Sequence, residues 1–151
     1  TDGQGLQEAL SIYRSEFRPS EKFSKPLVNV CMWALTANTN EEAKYLFASR
    51  AAWKIGRNYG QLGSITDPDN ALSIINDNGW TEQYQNMYQN SLVGDANITK
   101  DKISKLVEEN NIDEIAILTW CHNENHRIKS YEIFANAFEL SEKRKPEKSV
   151  V

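Results

Sequence analysis

The strongest constraint on the fold is a run of apolar residues that follows Pro26 and extends over residues 27–37. Apolar side chains fall at both alternating positions of this run, which predicts a β-strand covered on both faces, as in parallel sheets. A second, shorter run at residues 113–120 predicts another such strand. Two parallel strands leave an edge on either side and have too little face to bury. We therefore expect the sheet to be completed by polypeptide outside this sequence.

Two segments have the apolar spacing of amphipathic helices, one before the first strand and one after the second. Apolar residues recur every three or four positions over residues 6–17 and again over residues 124–138. In the later helix we expect Ile128, Tyr131 and Phe134 to face a core. This alternation of helices and strands predicts an α/β fold in which right-handed crossovers join parallel strands.

The connection between the two strands is long and mixed in character. Thr39 and Glu42 have the spacing of a capping box, which predicts a helix that fades near Gly56. Glycine, proline, asparagine and aspartate are frequent in residues 56–70, and this composition predicts a long mobile loop of the kind that acts as a lid. Beyond the loop we expect one helical turn at residues 71–75, a polar helix at 81–90 and a helix capped by Thr99.

Charge and composition exclude several classes of protein. The 151 residues include 17 Lys and Arg against 21 Asp and Glu, a net charge of −4. Surfaces that bind nucleic acid or anionic membranes cluster Lys and Arg instead, and no apolar run approaches the ~20 residues that cross a bilayer. We expect a soluble, cytoplasmic protein with no nucleic-acid or membrane partner. Residues 141–151, rich in Lys and Glu, are predicted to form a charged flexible tail.

The two cysteines, Cys31 and Cys121, each lie in a strand-like segment. They do not make a disulfide framework, and reduced, buried thiols in a cytosolic protein are the favoured interpretation. Residues 121–126 contain Cys, His and Glu, which are all metal-ligand types. No second cluster of ligands accompanies them, and this turn already has a capping role. We therefore expect no metal.

Short motifs along residues 9–140 carry a resemblance to a known family. They are ALSIYRSEFRPS at 9–20, KP at 25–26, ANTNEEA at 37–43, SLVGD at 91–95, DE at 113–114 and RIKSYE at 127–132. Each motif is weak alone, but in this order and spacing they resemble the bacterial luciferase-like family of flavin-dependent monooxygenases.

The resemblance implies a (β/α)8, or TIM, barrel that binds reduced FMN, activates dioxygen and is often a dimer. The motifs correspond to the last two strand–helix units of that barrel and the mobile loop between them. A closed barrel takes ~250 residues, so residues 1–140 are expected to be its C-terminal segment. The chain would then be a C-terminal fragment, a cleaved product, or half of a split or swapped assembly. Its expected partner is the missing N-terminal barrel portion or a second chain.

Candidate site residues follow from the rule that ligands bind at the carboxyl ends of barrel strands. His122 is the candidate catalytic residue, because it resembles a histidine that many family members have just past the last strand, and an imidazole there can hydrogen-bond a flavin edge or transfer a proton. Thr119 and Trp120 are candidate cofactor contacts. An exposed or helix-capping His122, and Trp120 as ordinary core, are the alternatives.

Two cations beside the predicted loop complete the candidate set. Lys54 and Arg57 are positioned to reach an anionic cofactor, or to close over it as part of a lid. Solvated charges at a helix end are the alternative. Trp33 is either a wall of the flavin or substrate pocket or part of the core, and Gly94 is expected to serve a backbone turn.

Two functions remain under consideration. The favoured one is part of an FMN-dependent, luciferase-like monooxygenase, an oxidoreductase that uses reduced flavin and O2 on a small organic substrate, with the isolated chain inactive alone. An oxygenase is favoured over deazaflavin-dependent reductases of the same barrel, because the motifs are closer to the luciferase side. The alternative is a catalytically silent barrel fragment that acts as an assembly piece.

Overall fold

The computed structural model describes residues 5–140, which fold as a small parallel sheet flanked by helices. Helices and strands alternate, and this confirms the predicted α/β class. Within the described residues no helix is both long and apolar enough to cross a membrane. The predicted tail, residues 141–151, lies outside them. The elements are α1 (Leu6–Glu16), β1 (Asn29–Thr36), α2 (Asn40–Asn58), α3 (Pro68–Asp77), α4 (Thr81–Asn90), β2 (Leu92–Gly94), α5 (Ala96–Asn110), β3 (Glu114–Leu118) and α6 (Glu124–Ala137).

The sheet has the strand order β2–β1–β3, and both neighbouring pairs are parallel. Residues 29–33 of β1 pair with residues 114–118 of β3, whereas β2 pairs only with residues 34–36. The prediction of two strands is therefore corrected to three. Strand β2 was not predicted because it has only three residues and shows no alternation. Within residues 5–140, the outer edge of β3 has no strand partner.

The two faces of the sheet are covered unequally. Val30, Met32 and Ala34 point to one face and are buried in clusters formed with α1, α5 and α6. The opposite face, called here the open face, is covered by α2 only toward the carboxyl end of β1, where Trp33 contacts Phe47. The other side chains of the open face are exposed: Asn29 and Cys31 in the amino half of β1, and Glu114, Ala116 and Leu118 along the whole of β3.

Coverage of β1 on both faces therefore holds only in its carboxyl half. Cys31 is exposed, which corrects the prediction that both thiols are buried. Cys121 is partly buried, and its burial raises the pKa of the thiol to about 11. Neither cysteine forms a disulfide. A strand residue is buried only where another element reaches its face, and a run of apolar residues does not reveal where that happens.

Side-chain caps determine where helices α2 and α5 begin. Thr39 Oγ1 accepts the Glu42 N–H at 3.1 Å, as the capping-box spacing predicts, and the Glu42 carboxylate reaches back to accept the Asn38 N–H. The predicted cap at Thr99 is wrong. Asp95 caps α5 by accepting two N–H groups of the first turn, and the Thr99 hydroxyl donates to the Asp95 carbonyl from inside the helix.

The connection between β1 and β3 is more helical than its composition predicts. Helix α2 continues to Asn58, and α3 is a helix of 10 residues instead of one turn, begun by the side-chain cap of Asp67. The loop is consequently limited to residues 59–67. Ala71 and Ile75 are buried in the cluster that also contains the apolar residues of α2, and this tertiary packing outweighs weak local propensity.

Helix α6 buries only part of the face that its periodicity predicts. Phe134 is buried as predicted, and Ser130 is buried too, whereas Ile128 and Tyr131 are 50% and 40% exposed, which corrects the prediction for those two residues. Ser130 Oγ accepts the backbone N–H of Thr36 at 3.0 Å. A small hydroxyl side chain thus brings α6 close to the end of β1, at a position where a hydrophobic pattern contains no signal.

Candidate functional site

Aromatic and cationic side chains gather where α2 crosses the carboxyl ends of β1 and β3. Trp33 lies near the end of β1, and Trp120 follows β3. Arg50 of α2 is between them: its Cζ is 4.2 Å from the centroid of the Trp33 ring and 5.9 Å from that of Trp120. The carboxyl ends of parallel strands are where α/β folds bind ligands.

The cluster continues outward along α2. Trp53 meets Trp120 edge to face, with ring centroids 5.7 Å apart and planes at 83°. Arg57 Cζ lies 4.8 Å from the centroid of Trp53. Cations and indoles therefore form a continuous row from the buried Trp33 to the exposed Arg57. We call it the Trp–Arg row: Trp33, Arg50, Trp120, Trp53 and Arg57.

Helical spacing explains why α2 supplies several members of this row. Arg50, Trp53, Lys54 and Arg57 are separated by three or four positions, so they share one face of the helix. Arg50 is 6% exposed, and burial lowers its pKa to about 10, which leaves it charged at neutral pH. Burial also lowers the pKa of the half-buried Lys54. This face of α2 is therefore cationic, and the charge next to the sheet, that of Arg50, is the least hydrated.

Thr119, a predicted cofactor contact, has a clear role within the sheet. Its side chain is buried, and its hydroxyl donates to the Ala34 carbonyl at 2.8 Å. Its backbone N–H donates to Tyr131 Oη at 2.9 Å. The hydroxyl proton is thus used in joining β3 to β1, and a cofactor contact at Thr119 stays a prediction.

His122, the predicted catalytic residue, is exposed in the turn between β3 and α6. The capping role belongs to Asn123, whose side chain accepts the Asn125 N–H at 2.8 Å. The part of the chain covered by the structure contains no group of three or more His, Cys, Asp or Glu side chains that could hold a metal ion. Catalysis by His122 stays a prediction.

The loop at residues 59–67, predicted to be a lid, borders the Trp–Arg row. Trp53 Nε1 donates to the Gly63 carbonyl at 3.0 Å, and Tyr59 stacks on Trp80 with ring centroids 5.3 Å apart. Between α2 and this loop lies a cavity of about 200 Å³ that Trp53, Gln61 and Leu62 help to line. Trp53 therefore contacts both the loop and the aromatic ring beyond the end of β3.

The structure brings together some of the predicted site residues and separates others. Trp120 and Arg57 belong to the Trp–Arg row, and Lys54 shares its helix face, whereas Thr119 lies buried beside it. Sequence reasoning did not select Arg50 as a site residue. The available signal was a cation on the apolar face of a helix, which is uncommon unless the charge is used.

Sequence comparison finds relatives that cover most of this chain. A luciferase-like monooxygenase of Escherichia coli (strain K12) is 30% identical over 132 residues, which is 85% of this chain and 38% of that protein. The uncharacterized protein YddN of Bacillus subtilis (strain 168) is 27% identical over 141 residues, 92% of this chain and 41% of its own length. No family model matches the chain.

Structure comparison points the same way. The crystal structure of apo-MsnO8 superimposes with a TM-score of 0.77 and 22% sequence identity, covering 91% of this chain and 42% of that chain. At this identity the match shows a common fold. The chain spans about two fifths of the length of the relatives it matches, consistent with a C-terminal portion. The predicted resemblance of this segment to the luciferase-like monooxygenase family is thereby confirmed.

Proposed function

We propose that residues 1–140 are the C-terminal segment of a (β/α)8 barrel in an FMN-dependent, luciferase-like monooxygenase. The unequal cover of the sheet supports this proposal. Helices α5 and α6 pack on one face, as on the outside of a barrel, while the open face has the exposure of a barrel interior from which the remaining strands are missing. Strands β1 and β3, adjacent and parallel, correspond to consecutive barrel strands, and β2 pairs only near the mouth.

The Trp–Arg row is the observation that carries the proposed activity. Trp120 is 40% exposed and offers an indole surface against which a flavin ring can stack. Arg57 and Lys54 donate hydrogen bonds and accept none. An aromatic wall with donor-only cations beside it fits a planar, anionic cofactor such as FMN.

When bound, reduced FMN, which a reductase in the cytoplasm would supply, would provide the electrons that activate dioxygen toward a small organic substrate. The residues of this chain bind and orient the cofactor. Trp120 walls the ring, Lys54 and Arg57 attract the anionic cofactor, and the loop at residues 59–67 excludes water from the mouth. His122 holds or transfers a proton from its exposed position beyond β3.

The partner in this proposal is the missing N-terminal barrel portion or a second chain, and the assembled enzyme is a dimer. The first six strands carry most of the flavin contacts, so the isolated chain does not turn over. The outer edge of β3, which has no strand partner within residues 5–140, supports an added strand, because an exposed apolar edge is a template for pairing.

The test compares FMN binding by a polypeptide that joins this segment to the upstream barrel portion with FMN binding by the isolated chain, followed by quenching of flavin fluorescence. We expect tight binding by the joined polypeptide, and oxygen consumption when reduced FMN is supplied. A folded joined polypeptide that leaves flavin fluorescence unchanged would refute the monooxygenase assignment.

A catalytically silent assembly piece is the second candidate function, and the same free edge favours it. Residues 115–118 of that edge are Ile, Ala, Ile and Leu, with no charge to discourage pairing. Sedimentation of the isolated chain distinguishes this role. If the chain is an assembly piece, it should sediment as a stable complex, and that complex should bind no flavin. Sedimentation as a well-folded monomer would argue against an assembly role.

A further inference from the structure

The buried indole of Trp33 carries a hydrogen-bond donor, Nε1. Its side chain is 4% exposed, and within the described residues its Nε1 has no hydrogen-bond partner. An indole N–H can only donate, and a buried donor without an acceptor destabilises the fold by the full cost of its lost hydration. Such orphaned groups are rare in native proteins, and an acceptor that belongs to a bound water, ion or molecule is one explanation for them.

The side chain stacked on Trp33 also has donor chemistry only. Arg50 Cζ lies 4.2 Å from the centroid of the Trp33 ring, and its guanidinium carries five N–H donors and no acceptor. Arg50 is 6% exposed and remains charged at neutral pH. A buried cation next to a buried N–H donor is complementary to an oxygen anion, and least complementary to a neutral or cationic group.

The open face beside this pair is accessible. Cys31 precedes Trp33 by two positions on that face and is exposed, as is Ala116, which is beside Cys31 in the sheet. Leu118, the register partner of Trp33, and Trp120, on the other side of Arg50, are each 40% exposed. The pair therefore lies at the end of an accessible apolar surface.

We propose that Arg50 and Trp33 Nε1 form an oxyanion-binding subsite, which takes the carboxylate or phosphate group of a ligand lying on the open face of the sheet. The planar guanidinium binds either group through two parallel hydrogen bonds, and the indole N–H adds a third. The flanking indoles hold the guanidinium in one orientation before the ligand arrives, which lowers the entropy lost on binding. The subsite rests on the proposed function only for the identity of its ligand.

The test measures anion binding by the 151-residue chain, with inorganic phosphate and benzoate as separate probes, by calorimetry and by tryptophan fluorescence. We expect Arg50→Gln to weaken binding of the recognised anion by about tenfold to a hundredfold, as for a lost charge-assisted hydrogen bond. Trp33→Phe keeps an aromatic ring but lacks the N–H, and should weaken binding by about fivefold. Arg50→Lys should be intermediate, because an ammonium lacks the two-pronged geometry.

Arg18→Gln is the matched control, because it removes an arginine that is exposed and far from α2 in sequence. A loss at Arg50 for phosphate alone assigns a phosphate-bearing ligand, and a loss for benzoate alone assigns a carboxylate. If the wild-type chain binds neither anion, or if Arg18→Gln weakens binding as much as Arg50→Gln, the subsite is refuted. Circular dichroism of each variant separates a lost site from a lost fold. Since FMN is not a probe here, this result is independent of the flavin test above.

Discussion

The hydroxyl of Thr119 donates a hydrogen bond of 2.8 Å to the carbonyl oxygen of Ala34, and both residues are buried. This bond joins the end of β3 to β1 at the edge of the candidate site. The backbone N–H of the same threonine donates to Tyr131 Oη at 2.9 Å. The chain is thus held on two sides immediately before Trp120, and this determines where that indole stands in the Trp–Arg row.

Substitution of Thr119 by valine should destabilise the fold. Valine has nearly the shape of threonine but leaves the buried Ala34 carbonyl without this donor, at a cost of about 1–3 kcal/mol in the free energy of unfolding. Urea denaturation followed by circular dichroism measures the change. Thr81→Val, at an exposed threonine, should change the free energy of unfolding by less than about 0.5 kcal/mol. Equal stabilities of the two variants would contradict a structural role for the Thr119 hydroxyl.

Gly94 should tolerate no side chain. A Cβ placed there would lie 2.6 Å from Ile98 Cγ2 and 2.9 Å from Ile98 Cβ, closer than real Cβ contacts come. Gly94→Ala should therefore lower stability by roughly 1–3 kcal/mol through overpacking. Gly63→Ala is the control, because a Cβ added at Gly63 would meet no atom within 4 Å. Adding Ile98→Ala to Gly94→Ala should recover part of the loss, and a thermal denaturation series that shows no recovery would contradict the steric explanation.

Asp95 should be more important than Thr99 for starting α5. Its Oδ1 accepts the N–H groups of Asn97 at 2.9 Å and Ile98 at 3.0 Å. Asp95→Ala should cost about 1 kcal/mol, whereas Asp95→Asn, which also caps, should retain most of the stability. Chemical denaturation of the two variants decides the point, and a cap role is wrong if asparagine and alanine are equally destabilising.

The two thiols should react at different rates, and one should make stability depend on pH. Cys31 is exposed and should react with a thiol reagent first, whereas burial raises the pKa of Cys121 to about 11. A raised pKa means that folding favours the protonated thiol. Its contribution to stability is complete below the unfolded pKa, near 9, and is lost as the pH rises toward 11. The melting temperature from pH 8 to 11 should therefore fall less in Cys121→Ser than in the wild type.

Periodicity predicted the elements that are long and regular. The helices at both ends and the two longer strands lie within a few residues of their expected bounds, because apolar spacing indicates the type and the length of an element. The cap at Thr39 was likewise predicted from the sequence, since the capping box is a contact between residues three positions apart. The short strand β2 was missed because three residues are too few to display a period.

Only part of the candidate site could be predicted from the sequence. Trp120, Lys54 and Arg57 were selected from their places beside a strand end and a loop, and the structure puts all three near Arg50 or on its helix face. Arg50 itself was not selected. Its contacts with two indoles join α2 to the ends of two different strands, and no spacing within a single segment encodes such a meeting.

By itself the sequence determined the α/β class, the order of the longer elements and the family resemblance, since all of these depend on patterns between near neighbours. Tertiary structure alone decided that Cys31 is exposed while Trp33 is buried on the same face of β1. The physical reason is that burial requires a second element to cover a side chain, and α2 covers only the carboxyl half of that face.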